Sequence, residues 1–259
     1  MTQLLAILHD YWKLLLIGSY PRGPLGGLAM TLLLSVLSLL LTFPFSILLA
    51  LARTSGSLWL RRLSTAWVVV MRGMPLVMLI FWVYFLVPLL IGRNISGFVT
   101  MLCTLVIYES AYMAEIVRAG IQALPQGQHE AGKALGLNYV QCQLRIILPQ
   151  ALFNSLPSMV NQFVSIIKET SLGYVINLQE LTFAAGQVNG QVLIAPFQIF
   201  FILAGGYFLV CYALTRVAHL LESRIQRNRL GGGRPGQGVL FAPSPVDVPH
   251  ARAREIPQI

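Results

Sequence analysis

LAMTLLLSVLSLLLTFPFSILLAL, residues 28–51, carries no charged side chain. As a helix it is roughly 36 Å long, enough to cross a hydrocarbon core of about 30 Å. The stretch predicts a membrane span, and the whole composition agrees with it. Of 259 residues, 56% are hydrophobic and 10% charged, where soluble domains carry roughly 25% charged residues.

Further spans lie outward from this one. Gly73 to Gly92 and Leu193 to Thr215 are also uncharged. Ile95 to Gly120 is interrupted by Glu109, Glu115 and Arg118, and Ala151 to Leu178 by Lys168 and Glu169. Pro44, Pro88, Pro157 and Pro196 do not veto these helices, because neighbouring helices can satisfy the freed backbone groups. The expectation is an all-α membrane protein of about five transmembrane helices, near 28–51, 73–92, 95–120, 151–178 and 193–216.

Lys and Arg outnumber Asp and Glu by 18 to 9. The basic residues cluster at the ends of apolar runs, which fits membrane orientation and argues against nucleic acid as a partner. With the N-terminus outside, Arg53, Arg61, Arg62, Arg72, Arg118, Lys133, Arg145 and the seven arginines from Arg216 onward fall inside. Only Lys13, Arg22 and Arg93 fall outside. The expected orientation is therefore N-terminus outside and C-terminus cytoplasmic.

The ends are simpler. Residues 1–24 read as an amphipathic segment in the outer interface, anchored by Tyr11, Trp12 and Tyr20; His9, Asp10 and Lys13 argue against a cleaved signal peptide. Residues 223–259 read as a disordered cytoplasmic tail, on the strength of Gly231-Gly232-Gly233 and Pro235, Pro243, Pro245 and Pro249. Residues 25–222 form the membrane domain. Cys103, Cys142 and Cys211 have no paired spacing, so neither a disulfide framework nor a metal site is expected.

The long polar loop, about 123–149, predicts a short helix over Pro125–Leu137. Pro125 favours a helix start and Gly136 a stop. Ala131, Ala134 and Leu135 make a small apolar face, better matched to a protein groove than to lipid. Within it, Glu130-Ala131-Gly132 is followed after three residues by Gly136, and after nine more by Ile146-Ile147-Leu148-Pro149.

That pattern resembles the cytoplasmic loop signature of permeases of ATP-binding-cassette (ABC) importers, with Gly132 standing where the family usually has a second alanine. The resemblance extends to Met71-Arg72-Gly73-Met74-Pro75-Leu76, to Ala111 through Gln122, and to Lys168-Glu169-Thr170-Ser171-Leu172. These are similar to permeases for polar amino acids of the histidine, glutamine and glutamate type, and Val77 to Pro88 is most similar to the glutamate/aspartate permeases.

The resemblance implies a type I importer permease in a bacterial inner membrane, with the loop as coupling helix. It implies ATPase subunits, a second permease chain (identical or paralogous) and an extracytoplasmic binding protein as partners, with an amino acid as cargo. It also assigns Glu130, Ala131, Gly132, Gly136, Leu148 and Pro149 to ATPase coupling. No GxxxxGK[ST] run occurs, so ATP and Mg are expected on the partner ATPase, with no cofactor and no catalysis on this chain. No HExxH or GxSxG motif suggests an intramembrane enzyme, and no matching halves suggest an ion-driven secondary transporter. A membrane subunit with no translocation path would have no reason to carry the loop signature.

Lys168, Glu169, Tyr112 and Glu109 are the candidate pathway residues. An ionisable side chain at membrane depth faces a pathway or a partner by default, and Lys168 with Glu169 offers both signs to a zwitterionic amino acid. The competing reading has the pair at the outer interface, snorkelling or pairing with Glu109 or Arg93. Glu115 and Arg118 are expected to form a local i, i+3 salt bridge, and Arg72 to mark the inner membrane boundary.

Overall fold

The computed structural model describes residues 2–231, and they are helical almost throughout. In order they form α1 (Thr2–Ile17), α2 (Gly27–Thr54), α3 (Leu58–Gly73), α4 (Leu76–Ile91), α5 (Gly97–Gln122), α6 (Gly127–Ala134) and α7 (Tyr139–Cys142). These are followed by α8 (Leu148–Glu169), α9 (Leu181–Val192) and α10 (Pro196–Gly231). Among the described residues, strand-like pairing is limited to isolated bridges at Gly18–Leu25 and Gly27–Glu180.

The chain through Glu222 packs as one unit, and a second begins at Ser223. The described residues of the second, 223–231, are helical. This corrects the tail expected from 223: no glycine or proline interrupts the sequence until Gly231, so nothing stops a helix there. Residues 232–259, the rest of that expected tail, lie outside the described residues.

Among the described residues α2, α5 and Pro196–Leu220 of α10 are long and apolar enough to cross a membrane. A fourth crossing results if α3 and α4 are taken together, although they are bent by 102°. The bend falls at Met74-Pro75, where proline disfavours helical backbone at the residue before it. The expected span 73–92 therefore starts as a helix only at Leu76, and α3 precedes it as a separate amphipathic helix.

Within α4, residues Trp82–Leu86 form a wide, π-type turn, and another occupies Gln143–Ile147 between α7 and α8. Both have one cause. Pro88 and Pro149 each stand two residues beyond the wide turn, and a proline ring clashes with the carbonyl four residues back. Those carbonyls, of Tyr84 and Arg145, sit in the middle of the widened segments. The ladder loosens where the proline pushes on it.

The expected span 151–178 is also corrected. Helix α8 ends at Glu169, and Thr170–Ile176 tighten into a 3₁₀ turn closed by Asn177 in the left-handed region, φ 57°. Asparagine tolerates that backbone better than most residues. The chain then reverses into α9, which lies in a stretch assigned to no span.

Helix α5 is the centre of the bundle. Met113, Val117 and Ile121 pack with Ala50 of α2 and Ala151 of α8 at one end. At the other, Met101, Leu105 and Tyr108 meet Leu34, Leu76, Ile80 and Ile176. The face of α2 that is buried is small and hydroxylated: Thr31, Ser35, Ser38, Thr42 and Ser46 are all inaccessible. Small residues let helix backbones approach closely in a membrane, and several hydroxyls bond back to their own helix, as Ser35 Oγ does to the Thr31 carbonyl at 2.7 Å. Helix α1 lays Ile7 and Leu15 against Leu181, Ala184 and Val188 of α9 and Ile199 of α10, leaving Leu5, Leu8, Trp12 and Leu16 exposed.

Candidate functional site

The loop between α5 and α8 projects a short helix, α6, that is braced at its base. Its C-terminus is a Schellman motif: Leu137 N–H bonds the Gly132 carbonyl at 3.1 Å and Gly136 N–H the Lys133 carbonyl at 2.9 Å. Gly136 has φ +76°, and an added Cβ there would touch nothing, so backbone conformation alone selects glycine. Gly132 is chosen differently. It is buried against Cys142, and an added Cβ would lie 2.7 Å from Cys142 Sγ. The departure from alanine at this position matches a close approach between α6 and α7.

Glu130, Ala131, Ala134 and Leu135 are exposed, Leu135 by 78%. Pro149 occupies the first turn of α8 and Leu148 beside it is buried. The expected coupling residues therefore divide. Glu130 and Ala131 face outward, whereas Gly132, Gly136, Leu148 and Pro149 shape and seat the helix.

Side chains absent from the sequence reading tie this base to the bundle. Tyr139 Oη donates to the Thr54 carbonyl at the end of α2, 2.7 Å away. Gln143 Nε2 donates to Tyr139 Oη at 3.2 Å and lies 3.2 Å from His129 Nε2. Gln150 Nε2 on α8 donates to Gln128 Oε1 of α6 at 3.4 Å. A polar cavity of about 540 Å³ opens beside these groups, lined by Arg53, Arg61, His129, Tyr139 and Gln143 among others.

Just above it, Glu115 on α5 gathers three guanidinium groups. Arg53 of α2 donates to Oε2 and Arg118 to Oε1, and Arg72 Nη1 at the end of α3 stands 3.9 Å from Oε2. Arg118 was expected. Arg53 and Arg72 come from remote sequence, and together they make Glu115 a junction of α2, α3 and α5. Arg72 also stacks on the Tyr112 ring, 5.2 Å from its centroid, so it does more than mark a boundary.

Further along α5, Tyr112 and Tyr108 share a hydroxyl contact of 3.1 Å. Glu109 is fully buried and accepts a hydrogen bond from Gln162 Nε2 of α8 at 2.7 Å, and Glu169 of α8 lies against the same carboxyl. Glu109 Oε1 and Glu169 Oε2 are buried with no donor from a third residue among the described residues. Lys168 does not join them. It is exposed, on the side of α8 nearer Cys211 of α10, because consecutive helix positions point about 100° apart. Lys168 and Glu169 thus face different sides of α8, although the Lys168 charge still acts on the Glu169 carboxyl.

Gln162 was missed, though its spacing of seven from Glu169 places both on one α8 face with Ser155 and Met159. Glu180 was missed too. Fully buried, it accepts from the backbone N–H groups of Thr182 and Phe183 at 2.8 and 2.9 Å and from Tyr207 Oη at 2.9 Å. With Thr31 Oγ1 accepting from Leu181 N–H at 3.2 Å, it locks α2, α9 and α10 together. Its only sequence signal is that no other acid occurs between Glu169 and Glu222.

Residues 42–227 match the family model described as "binding-protein-dependent transport system inner membrane component". The chain is 35% identical over 208 residues to the inner membrane amino-acid ABC transporter permease protein YhdY of Escherichia coli K12, covering 79% of this chain and 57% of that one. It is 36% identical to the probable glutamine ABC transporter permease protein GlnP of Bacillus subtilis 168, covering 80% of this chain and 98% of that one. Among solved structures, a crystal structure of an amino acid ABC transporter with histidines superposes with a TM-score of 0.69. The sequence identity there is 33%, over 76% of this chain and 92% of that one.

Proposed function

Because the chain belongs to the family of binding-protein-dependent transport system inner membrane components, and is an all-α, multi-pass permease subunit of an amino acid ABC importer working with ATPase and permease partners, we propose how it carries its cargo. A polar amino acid, glutamate, aspartate or one of similar size, passes inward beside α5 and α8. The N-terminus lies outside and the C-terminus in the cytoplasm. An extracytoplasmic binding protein delivers the amino acid, and ATP with Mg stays on the ATPase subunit.

The observation that carries the pathway is the pair of buried carboxyls, Glu109 and Glu169, which lie against each other and whose Oε1 and Oε2 receive no donor from a third residue. Buried acceptors without donors are rare and costly, and an ammonium group has three donors to offer them. Every amino acid brings that group. Tyr108 lies beside the carboxyls, its hydroxyl meets that of Tyr112, and Arg72 on the Tyr112 ring supplies the opposite charge for a carboxylate.

Coupling works through α6. Its outer face, with Glu130 and Ala131, docks into a groove of the ATPase, and closure of the ATPases moves the helix as a rigid piece. The bonds of Tyr139 to Thr54 and of Gln150 to Gln128 pass that movement to α2 and α8.

Reconstitution with the ATPase and binding protein tests both parts. Glutamate, aspartate or a similar polar amino acid should stimulate ATP hydrolysis, and Glu130→Lys should abolish transport while the chain still inserts in the membrane. Stimulation by apolar amino acids alone, or normal uptake by Glu130→Lys at equal expression, would overturn the proposal.

A further inference from the structure

A groove of about 640 Å³ runs between α2 and α3 on the outside of the bundle. Phe45 and Leu48 of α2 and Leu60, Leu63, Ala66 and Trp67 of α3 are among its walls, and nearly all of its lining is apolar. The wall residues are not packed away: Leu48 is 64% exposed and Leu63 73%. In a membrane protein, such a groove beside a spanning helix is filled by lipid.

What sets this groove apart is the charge at one end. Helix α3 starts with Leu58-Trp59-Leu60-Arg61-Arg62 and has no acid in its first turn. Ser57 does not cap it with its side chain, so the first backbone N–H groups and the positive end of the helix dipole stay available. Arg62 stands one helical turn before Ala66 of the groove wall. Neither Arg61 nor Arg62 has an ion-pair partner among the described residues, whereas nearby Arg53 is taken by Glu115. No Asp or Glu occurs anywhere between Asp10 and Glu109, so no acid of α2, α3 or α4 can neutralise them. Trp59, 85% exposed, sits beside them, and tryptophan collects at headgroup level.

We propose that the α2–α3 groove is a binding site for an anionic phospholipid, with an acyl chain along the apolar walls and the phosphate held by Arg62 and the start of α3. Arg61, which lines the polar cavity beside the coupling loop, adds its charge from the edge. A zwitterionic lipid fills the walls equally well and brings the same phosphate, but its own choline or ethanolamine cation offsets the attraction of the arginines. Basic pockets at helix ends select anionic headgroups for this reason. The site also has a consequence for transport. The α3 start follows α2 by three residues, and α2 receives the Tyr139 bond, so the lipid braces the same helix that α6 moves. The inference rests on the membrane reading of α2 and α3.

The test uses the full chain in lipid nanodiscs, with Trp12→Phe, Trp59→Phe and Trp82→Phe leaving Trp67 as its sole tryptophan. Phosphatidylglycerol or phosphatidylcholine brominated on an acyl chain is added at equal fraction, and quenching of Trp67 is read. Brominated phosphatidylglycerol should be preferred by about fivefold for each arginine engaged. Arg61→Gln with Arg62→Gln should bring the preference near unity while both lipids still quench. Ala66→Phe, which fills the groove and leaves the arginines, should reduce quenching by both. Equal quenching by the two lipids with both arginines in place, or a preference indifferent to the arginines, would overturn the site alone. No quenching by either lipid would overturn the membrane placement on which it rests.

Discussion

Gln162 of α8 donates to the buried carboxyl of Glu109 on α5 at 2.7 Å, and with Ser155 Oγ, which donates to the Ile116 carbonyl at 3.4 Å, it forms a polar link within an otherwise apolar helix contact. Removing the donor leaves Glu109 with fewer partners in the same burial. Gln162→Leu should destabilise the chain by about 1–3 kcal/mol, the cost of orphaning a buried polar group. Gln162→Glu should do no better, because it adds a third carboxyl to the cluster. Thermal denaturation of the purified permease measures both, and stability equal to the parent would show that Glu109 finds another donor.

The split between Lys168 and Glu169 predicts different consequences for neighbours in sequence. Glu169→Gln removes the charge that faces Glu109 and the pathway. It should raise the amino acid concentration for half-maximal ATPase stimulation by roughly 10- to 100-fold, as for a lost charge-assisted hydrogen bond. Lys168→Gln, exposed on the other side of α8, should leave that concentration within about twofold. Equal effects would restore the two as one zwitterion-binding pair.

The sequence shows the parts of this protein whose cause is local. Uncharged runs announce α2 and α10, and Gly136 announces the end of α6, because span length and left-handed backbone are decided within a few residues. The two wide turns also have a local cause, Pro88 and Pro149, but a proline in an apolar run is compatible with several outcomes. Contacts that depend on which helices become neighbours stay hidden. Glu115 reads as half of a salt bridge with Arg118, yet Arg53 and Arg72 reach it from distant stretches of chain. Glu180 reads as an isolated acid and becomes a three-helix lock only when Tyr207 and Thr31 arrive. Gln162 lies between these cases: its helical spacing from Glu169 was readable, but its meaning needed α5 alongside.

Gly132 and Cys142 should behave as a coupled pair. Alanine at 132 favours the helix by roughly 1 kcal/mol relative to glycine, but its Cβ would stand 2.7 Å from Cys142 Sγ, and overpacking costs about 1–3 kcal/mol. Gly132→Ala alone should therefore be neutral to destabilising. With Cys142→Ala the sulfur is gone and the helical gain remains, so the double variant should be more stable than the sum of the single changes. A double-mutant cycle by thermal or chemical denaturation gives the coupling directly, and additivity would mean that the sulfur simply turns aside.

Tyr139 offers the cleanest separation of hydrolysis from transport. Its hydroxyl donates to the Thr54 carbonyl at 2.7 Å and receives Gln143 Nε2 at 3.2 Å, so one oxygen joins the base of α6 to the last residue of α2. Tyr139 is otherwise exposed, 44%, and Tyr139→Phe keeps the ring while removing only these bonds. A net loss of about 1 kcal/mol per hydrogen bond leaves a domain of this size folded. Glu130 and the outer face of α6 are untouched, so the ATPase should still bind and hydrolyse ATP at close to the parent rate. What should fall is the number of amino acids imported per ATP, because α6 can then move without drawing α2 along. Transport and hydrolysis measured on the same proteoliposomes decide the matter. A fall in both rates by the same factor would point to weaker docking, and an unchanged ratio with unchanged rates would mean that α2 is moved through other contacts, such as the packing of Ala50 on Val117 and Ile121.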